Sequence, residues 1–291
     1  MTDELAVDKR QVRRAFEQAA GGYDAAAILQ HEVCRRMLDR LDYIKVTPSA
    51  ILDAGSGTGN ALAGLMARYA GTPVVALDIA LAMLERGRAR LAWWQRVPGL
   101  RPPLHPVCAD LERLPLREGS VGFVWSNLAL QWVVDLSHTF TELHRVIEAG
   151  GLLMFSTFGP DTLKELRDAY QGTDGRTHVN RFVDMHDIGD MLVHSGYADP
   201  VMDMEPFTLT YERVRDLMRD LKSIGAHNVT QGRPASLTGK ALMRSVEQRY
   251  ELLRRDGRLP ATFEVIYGHA WKPLPRVSAS GRRVIDIKAK P

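Results

Sequence analysis

Residues 51–60 read ILDAGSGTGN. A short apolar run ends at Asp53, and glycines follow at Gly55, Gly57 and Gly59. A glycine-rich turn between a strand and a helix is built to hold a nucleotide-like ligand. Without Cβ atoms the backbone comes close, and the helix N-terminus offers free N–H groups. A dinucleotide fold wants G-x-G-x-x-G, but here the third glycine arrives one residue early. The deciding residue is Asp53. A carboxylate at the tip of the first strand would face a pyrophosphate seated on that helix, and two anions in a partly dry crevice repel strongly.

A ligand carrying a cationic amine suits the same position, and S-adenosylmethionine has that shape: an adenosine, a sulfonium and a methionine tail. Asp53 is expected to accept from its ammonium, directly or through water, with Gly55 and Gly57 cradling the tail and ribose. Asp78 follows about 20 residues on, at the end of the second strand, where a carboxylate accepts the ribose hydroxyls. Asp110, in CADLERLPL, is placed to accept the adenine amino group, with the Leu111 amide near the ring. Each acid alone also has a reading as a helix cap or turn residue. Three at successive strand ends form a cradle.

Outward from this loop, strand and helix patterns alternate. SAILDA, VVALDIA, LHPVCAD, VGFVWSN and GLLMFSTF read as strands. NALAGLMARYA, LAMLERGRARLAWW and LSHTFTELHRVIEAGG read as helices, the last stopped by its Gly-Gly pair. Such alternation implies right-handed βαβ crossovers and a mainly parallel sheet, an α/β fold with helices on both faces. Before it, residues 9–41 have helical spacing broken at Gly21-Gly22. After Phe158 the rhythm changes. Helices near DTLKELRDAY and DMHDIGDMLVHSGY lead to the strand PVMDMEPFTLTY, a helical stretch over 212–255, and a final strand TFEVIYGHAW. The late helices are expected to cap the sheet's ligand-binding edge as a lid. The expected organisation is one domain: a helical cover (1–45), a ligand-binding core (46–158), lid insertions and final strands (159–271), and a basic tail (272–291).

Composition is ordinary for a globular protein: 291 residues, 45% hydrophobic and 25% charged. No apolar run reaches the ~18 residues of a membrane helix, and the N-terminus lacks the apolar core of a secretory signal. A cytoplasmic protein is expected. Cys34 and Cys108 have no metal-like spacing and the nine histidines are scattered, so no metal is expected. Charge is uneven. Residues 1–210 hold 21 Lys/Arg against 27 Asp/Glu, whereas residues 211–291 hold 17 against 8, a net +9. Without interleaved aromatics this does not point to nucleic acid. It reads either as a plain basic surface or as a docking face for an acidic partner.

LDAGSGTG, the acid of VVALDIA, CADLERLPL and ELHRVIEAGG resemble the class I S-adenosylmethionine-dependent methyltransferases, which implies a Rossmann-like, seven-stranded fold. AFEQAAGGYD, SNLALQWV, FSTFGPDTLKELR, HVNRFVDMHDIGDML, MRDLKSIGAHN and LPATFEVIYGHAWK extend the resemblance over nearly the whole chain, to the malonyl-acyl carrier protein O-methyltransferases of biotin synthesis. That resemblance implies methylation of the free carboxyl of a malonyl thioester, on acyl carrier protein or coenzyme A, with the acidic carrier docked on the basic C-terminal region. A second resemblance, to the arginine hydroxylases that assist complex I assembly, rests on the DTLKELR, MRDL and LPATFEV stretches. That chemistry would need a metal, and no two-His-one-carboxylate pattern is present. A methyltransferase of another small carboxylate and a non-catalytic S-adenosylmethionine-binding protein complete the alternatives.

A malonyl carboxyl is ionised at neutral pH, so methylation needs alignment rather than a general base. It does need a cation for the carboxylate, and arginine suits bidentate capture. Arg181, beside Phe182, is the candidate, ahead of Arg145 and Lys222. Tyr23 is expected on a cover over the methionine tail, or simply packing a helix junction. Asn127, Gln131 and Trp132 leave the fourth strand beside the sulfonium, with Trp132 walling the transfer channel. His178 and His227 read as polar lid residues.

Overall fold

The computed structural model describes residues 8–90, 104–173, 178–226 and 239–275. Seven strands form one sheet: β1 (Ile51–Ala54), β2 (Val74–Asp78), β3 (Leu104–Cys108), β4 (Val121–Asn127), β5 (Ile147–Phe158), β6 (Ala198–Tyr211) and β7 (Leu259–Trp271). Their spatial order is β3-β2-β1-β4-β5-β7-β6. The first five run parallel, and β7 lies antiparallel between β5 and β6. This is the mainly parallel, seven-stranded sheet expected from the sequence.

Helices α1 (Lys9–Ala19), α2 (Tyr23–Ala26) and α3 (Ile28–Arg40) precede the sheet. Crossovers are made by α4 (Leu62–Arg68), α5 (Leu81–Arg90) and α6 (Leu136–Val146). Four more follow β5: α7 (Lys164–Tyr170), α8 (Met185–His194), α9 (Val214–Ser223) and α10 (Lys240–Glu251).

The period-two alternation of strands sorts the core into two layers. Ile51, Phe123, Leu152 and Val265 point to one face, and their neighbours Leu52, Val124, Leu153 and Ile266 to the other. All eight are fully buried, each contributing about 1.5–3 kcal/mol of transfer free energy. The outer strands carry the strand prolines tolerated at edges, Pro106 in β3 and Pro200 and Pro206 in β6.

Two segments depart from the sequence reading. The helix expected through Gly151 ends at Val146, because Ile147 is already extended (φ −71°, ψ 136°) and begins β5. The Gly150-Gly151 pair instead forms an irregularity where the β4–β5 register shifts between Val121 and Phe123. The helical stretch expected over 212–255 is two helices. α9 stops in a Schellman turn in which Ala226 N–H donates to Leu221 O and Gly225 takes φ +71°. The last four residues expected in the second crossover helix, 91–94, lie outside the described residues.

α10 is tied to the sheet through buried Tyr250, whose hydroxyl donates to Pro260 O at 2.8 Å. Tyr250→Phe would leave that carbonyl without its partner. We expect a loss of about 1–2 kcal/mol in urea unfolding with an unchanged m-value.

Candidate functional site

Between β1 and β4 the strand order reverses, opening a crevice at the strands' C-terminal ends. Four of the sequence-predicted residues stand on that rim. Asp53 lies in β1, Asp78 and Asn127 end β2 and β4, and Asp110 comes two residues after β3. A cavity of about 620 Å3 is lined by Tyr23, Gly55, Gly57, Asp78, Asp110, Leu111, Asn127 and Trp132. A smaller chamber of about 390 Å3 shares Tyr23, Gly55, Gly57 and Asn127 with it and reaches Asp53. Eight of the eleven named site residues thus line the first cavity, and Asp53 lines the chamber beside it.

The glycine loop is shaped by its surroundings. Gly55 has φ +81°, and a Cβ there would lie 2.2 Å from that of Ala129. Gly57 (φ +55°) would meet nothing within 4 Å, so its open side belongs to the cavity. Its N–H donates to Asp78 Oδ2 at 2.9 Å, while Asp78 Oδ1 accepts from Ala80 N–H at 2.8 Å. Asp78 therefore braces the loop as well as facing the cavity. On the opposite wall Leu128 is held left-handed (φ +47°) by N–H contacts to Ser156, at a cost of about 1–2 kcal/mol for a bulky residue.

Both inner carboxyls are buried, with no salt-bridge partner among the described residues. Burial pushes Asp53 up to about 7, opposed by the Ser56 hydroxyl and reinforced by the charge of Asp78. Burial also raises Asp78 to about 6, against the pull of the Ala80 and Gly57 amides. Asp53 Oδ2 has no hydrogen-bond partner. A buried, unmet carboxylate oxygen beside an open glycine face fits the ammonium and tail of S-adenosylmethionine. Phosphate groups would meet repulsion there.

Sequence reasoning expected a helical cover but missed the residues that form its inner side. Lys9, Val12 and Phe16 of α1 lie at i, i+3, i+7 and line the cavity. Lys9 Nζ contacts Asp110 Oδ1 and Glu112 Oε2, each at 2.5 Å, and so ties α1 over the predicted adenine end. Glu17 accepts from Leu81 and Ala82 N–H at 2.8 and 3.1 Å, capping α5, and Asp24 bonds Thr58 and Arg90. The signal was a lysine in register with the apolar stripe of an amphipathic helix.

A second cavity, of about 850 Å3, is walled mainly by apolar residues of β5, β7, α7, α9 and the segment 178–182. Trp132 lines both cavities, with Phe16 packed edge-on at 5.5 Å between ring centres. Gln131 lines neither, since its amide bonds Leu128 O and the Thr157 hydroxyl. Arg181 is exposed, though its neighbours Asn180 and Phe182 line the second cavity. Arg145 is spent on Glu142 and the carbonyls of Leu114 and Leu116, and Lys222 is exposed on α9. His178 stacks on Tyr170 at 3.9 Å, and His227 lies outside the described residues. Asn127 Nδ2 donates to Gln30 O and its Oδ1 accepts from the Ser156 hydroxyl, each at 3.0 Å.

The two raised carboxyls set a pH dependence. Between about pH 4, where unfolded aspartates have lost their protons, and pH 7 the native state binds more protons, so unliganded stability falls as pH rises. A cationic ligand needs the ionised forms, so its affinity moves the other way. Calorimetry with S-adenosylhomocysteine should show binding tighten about tenfold or more from pH 5.5 to 7.5.

Residues 52–155 match the family described as "Methyltransferase domain". The sheet resembles that of the YcgJ protein of Bacillus subtilis, with TM-score 0.56 and 14% identity over 84% of this chain and 99% of that one. It also resembles a Haemonchus contortus N-methyltransferase solved with phosphomonomethylethanolamine and S-adenosylhomocysteine, with TM-score 0.51 and 19% identity over 82% of this chain and 52% of that one. Sequence likeness is far closer to the malonyl-[acyl-carrier protein] O-methyltransferase of Gallionella capsiferriformans (strain ES-2), 58% identical over 288 residues and 99% of both chains. The protein of the same name from Nitrosospira multiformis is 56% identical over 94% of this chain and 92% of its own. The chain belongs to the malonyl-[acyl-carrier protein] O-methyltransferase family.

Proposed function

We propose that this chain transfers a methyl group from S-adenosylmethionine to the free carboxylate of a malonyl thioester on an acyl carrier protein. The observation that carries this reading is end-to-end likeness, 58% over 99% of both chains, to a protein bearing that name. The geometry agrees with it: a carboxylate-lined cavity and an apolar one meet at Trp132.

Bound S-adenosylmethionine supplies a sulfonium methyl. A carboxylate oxygen forms the new C–O bond as the C–S bond breaks toward sulfur, and no proton moves. The protein's work is then alignment, worth up to about 7–11 kcal/mol when well oriented. Asp53 takes the ammonium, Asp78 the ribose hydroxyls and Asp110 with Leu111 the adenine, under Tyr23 and α1. Trp132 forms the wall along which the carboxylate approaches, and Gln131 fixes the turn that presents it. Arg181, whose neighbours Asn180 and Phe182 line the apolar cavity, anchors the malonyl carboxylate. The hydroxylase reading has no comparable support: among the described residues no group of three or more His, Cys, Asp or Glu could hold a metal.

The carrier docks on α9. Its inner side, including Met218 and Leu221, lines the acceptor cavity. Arg215, Arg219 and Lys222 stand at i, i+4, i+7 on its outer side. Arg215 and Arg219 pair with Glu247 and Asp216 in exposed contacts. Such pairs are worth about 0–1 kcal/mol, little to give up for an acidic partner. Residues 276–291 of the basic tail lie outside the described residues. We place the protein in the cytoplasm, where the free thiols Cys34 and Cys108 persist.

Incubation with methyl-labelled S-adenosylmethionine and malonyl-carrier protein should yield a base-labile methyl ester, and no label in the carrier would refute the reading. Arg181→Ala removes a charge-assisted contact of about 1.5–3 kcal/mol. Turnover should fall more than tenfold while S-adenosylhomocysteine affinity holds, and normal turnover would reject that anchor.

Joint replacement of Arg215, Arg219 and Lys222 by Ala should raise KM for malonyl-carrier protein about tenfold or more and leave malonyl-CoA unaffected. Raising salt to about 0.5 M should act on the wild type with the same selectivity. Equal effects on both substrates would move the docking surface elsewhere.

A further inference from the structure

Gln30 sits in the first turn of α3, and its side-chain oxygen Oε1 is buried without a hydrogen-bond partner. Gln30 lines the same 390 Å3 chamber as Asp53, whose Oδ2 is likewise buried and unmet among the described residues. A buried acceptor left unpaired costs about 1–3 kcal/mol, so two in one chamber call for a shared hydrogen-bond donor. Trp125, whose indole N–H is unpaired among the described residues, and Ser56, whose hydroxyl can turn either way, line the chamber too. Acceptors therefore outnumber obligate donors, and one of them belongs to an acid. Burial holds the neighbouring His31 below its ordinary pKa, so it brings no competing positive charge at neutral pH. The chamber is built for a small cation with several N–H groups.

Gln30 is also held in place. Its carbonyl accepts from Asn127 Nδ2 at 3.0 Å, and Asn127 accepts in turn from the Ser156 hydroxyl of β5. The side chain thus projects from a backbone fixed to the strand ends that frame the crevice.

We propose that Gln30 Oε1 and Asp53 Oδ2 together receive the ammonium of the methyl donor's amino-acid tail, which makes α3 part of the donor site. This inference rests on the S-adenosylmethionine reading above and assigns to it a residue from outside the glycine loop and the strand-end acids. Donor binding and the seating of α3 are then one event.

The test is calorimetry with two ligands that share the nucleoside: S-adenosylhomocysteine, which has the amino-acid tail, and 5′-methylthioadenosine, which lacks it. Gln30→Met keeps the side chain's length and removes its acceptor. It should weaken S-adenosylhomocysteine about tenfold or more and leave 5′-methylthioadenosine unchanged. The unchanged ligand also reports that the variant is folded. Gln30→Asn, which withdraws the amide by one methylene, should show the same selective loss. Unchanged S-adenosylhomocysteine affinity in both variants would overturn the assignment, and so would equal losses for the two ligands. A wild-type protein that binds no S-adenosylhomocysteine overturns the donor reading itself, a result visible before any variant is made.

Discussion

Two carboxyl groups, Asp53 and Asp78, are buried at the head of the sheet with no cation paired to them among the described residues. Everything else about the site is arranged around that cost. Asp78 recovers part of it by accepting two backbone N–H groups, which fixes the glycine loop. Asp53 recovers less, and its outer oxygen stays unmet. Such a pair favours a positively charged ligand and discriminates against phosphate through the sign of its charge.

Sheet topology explains why these groups can be assembled from distant sequence. Parallel strands deliver all their C-terminal ends to one edge, and the reversal between β1 and β4 leaves that edge open. The strand ends supply polar groups, and the helices that pack over them supply a roof and walls. β5, β7, α7 and α9 build the second cavity on the other side of Trp132. The two cavities differ in character because they are made of different parts: strand-end acids in one, the apolar faces of inserted helices in the other.

The fold and the strand-end acids were legible because both follow from local pattern. Alternating periodicity gave the crossovers, and a carboxylate at or just past a strand end is visible in a single line of sequence. The boundaries that failed did so for long-range reasons. Gly150-Gly151 looks like a helix stop, but Ile147 is drawn into pairing with Val121 of β4. Lys9 and Gln30 escaped notice because their partners lie far along the chain: Asp110 for the first, Asp53's chamber for the second. Arg181 was chosen on chemistry alone. It is exposed and does not line the second cavity, whereas its neighbours Asn180 and Phe182 do.

Phe16 rests on Trp132, and Trp132 is common to both compartments. The partition is therefore finished by a side chain from the N-terminal roof. Were a ligand in one compartment to shift that contact, thermodynamic reciprocity would oblige a ligand in the other to alter the first one's hold by an identical factor. One aromatic contact in this way makes an account of either compartment incomplete without the other.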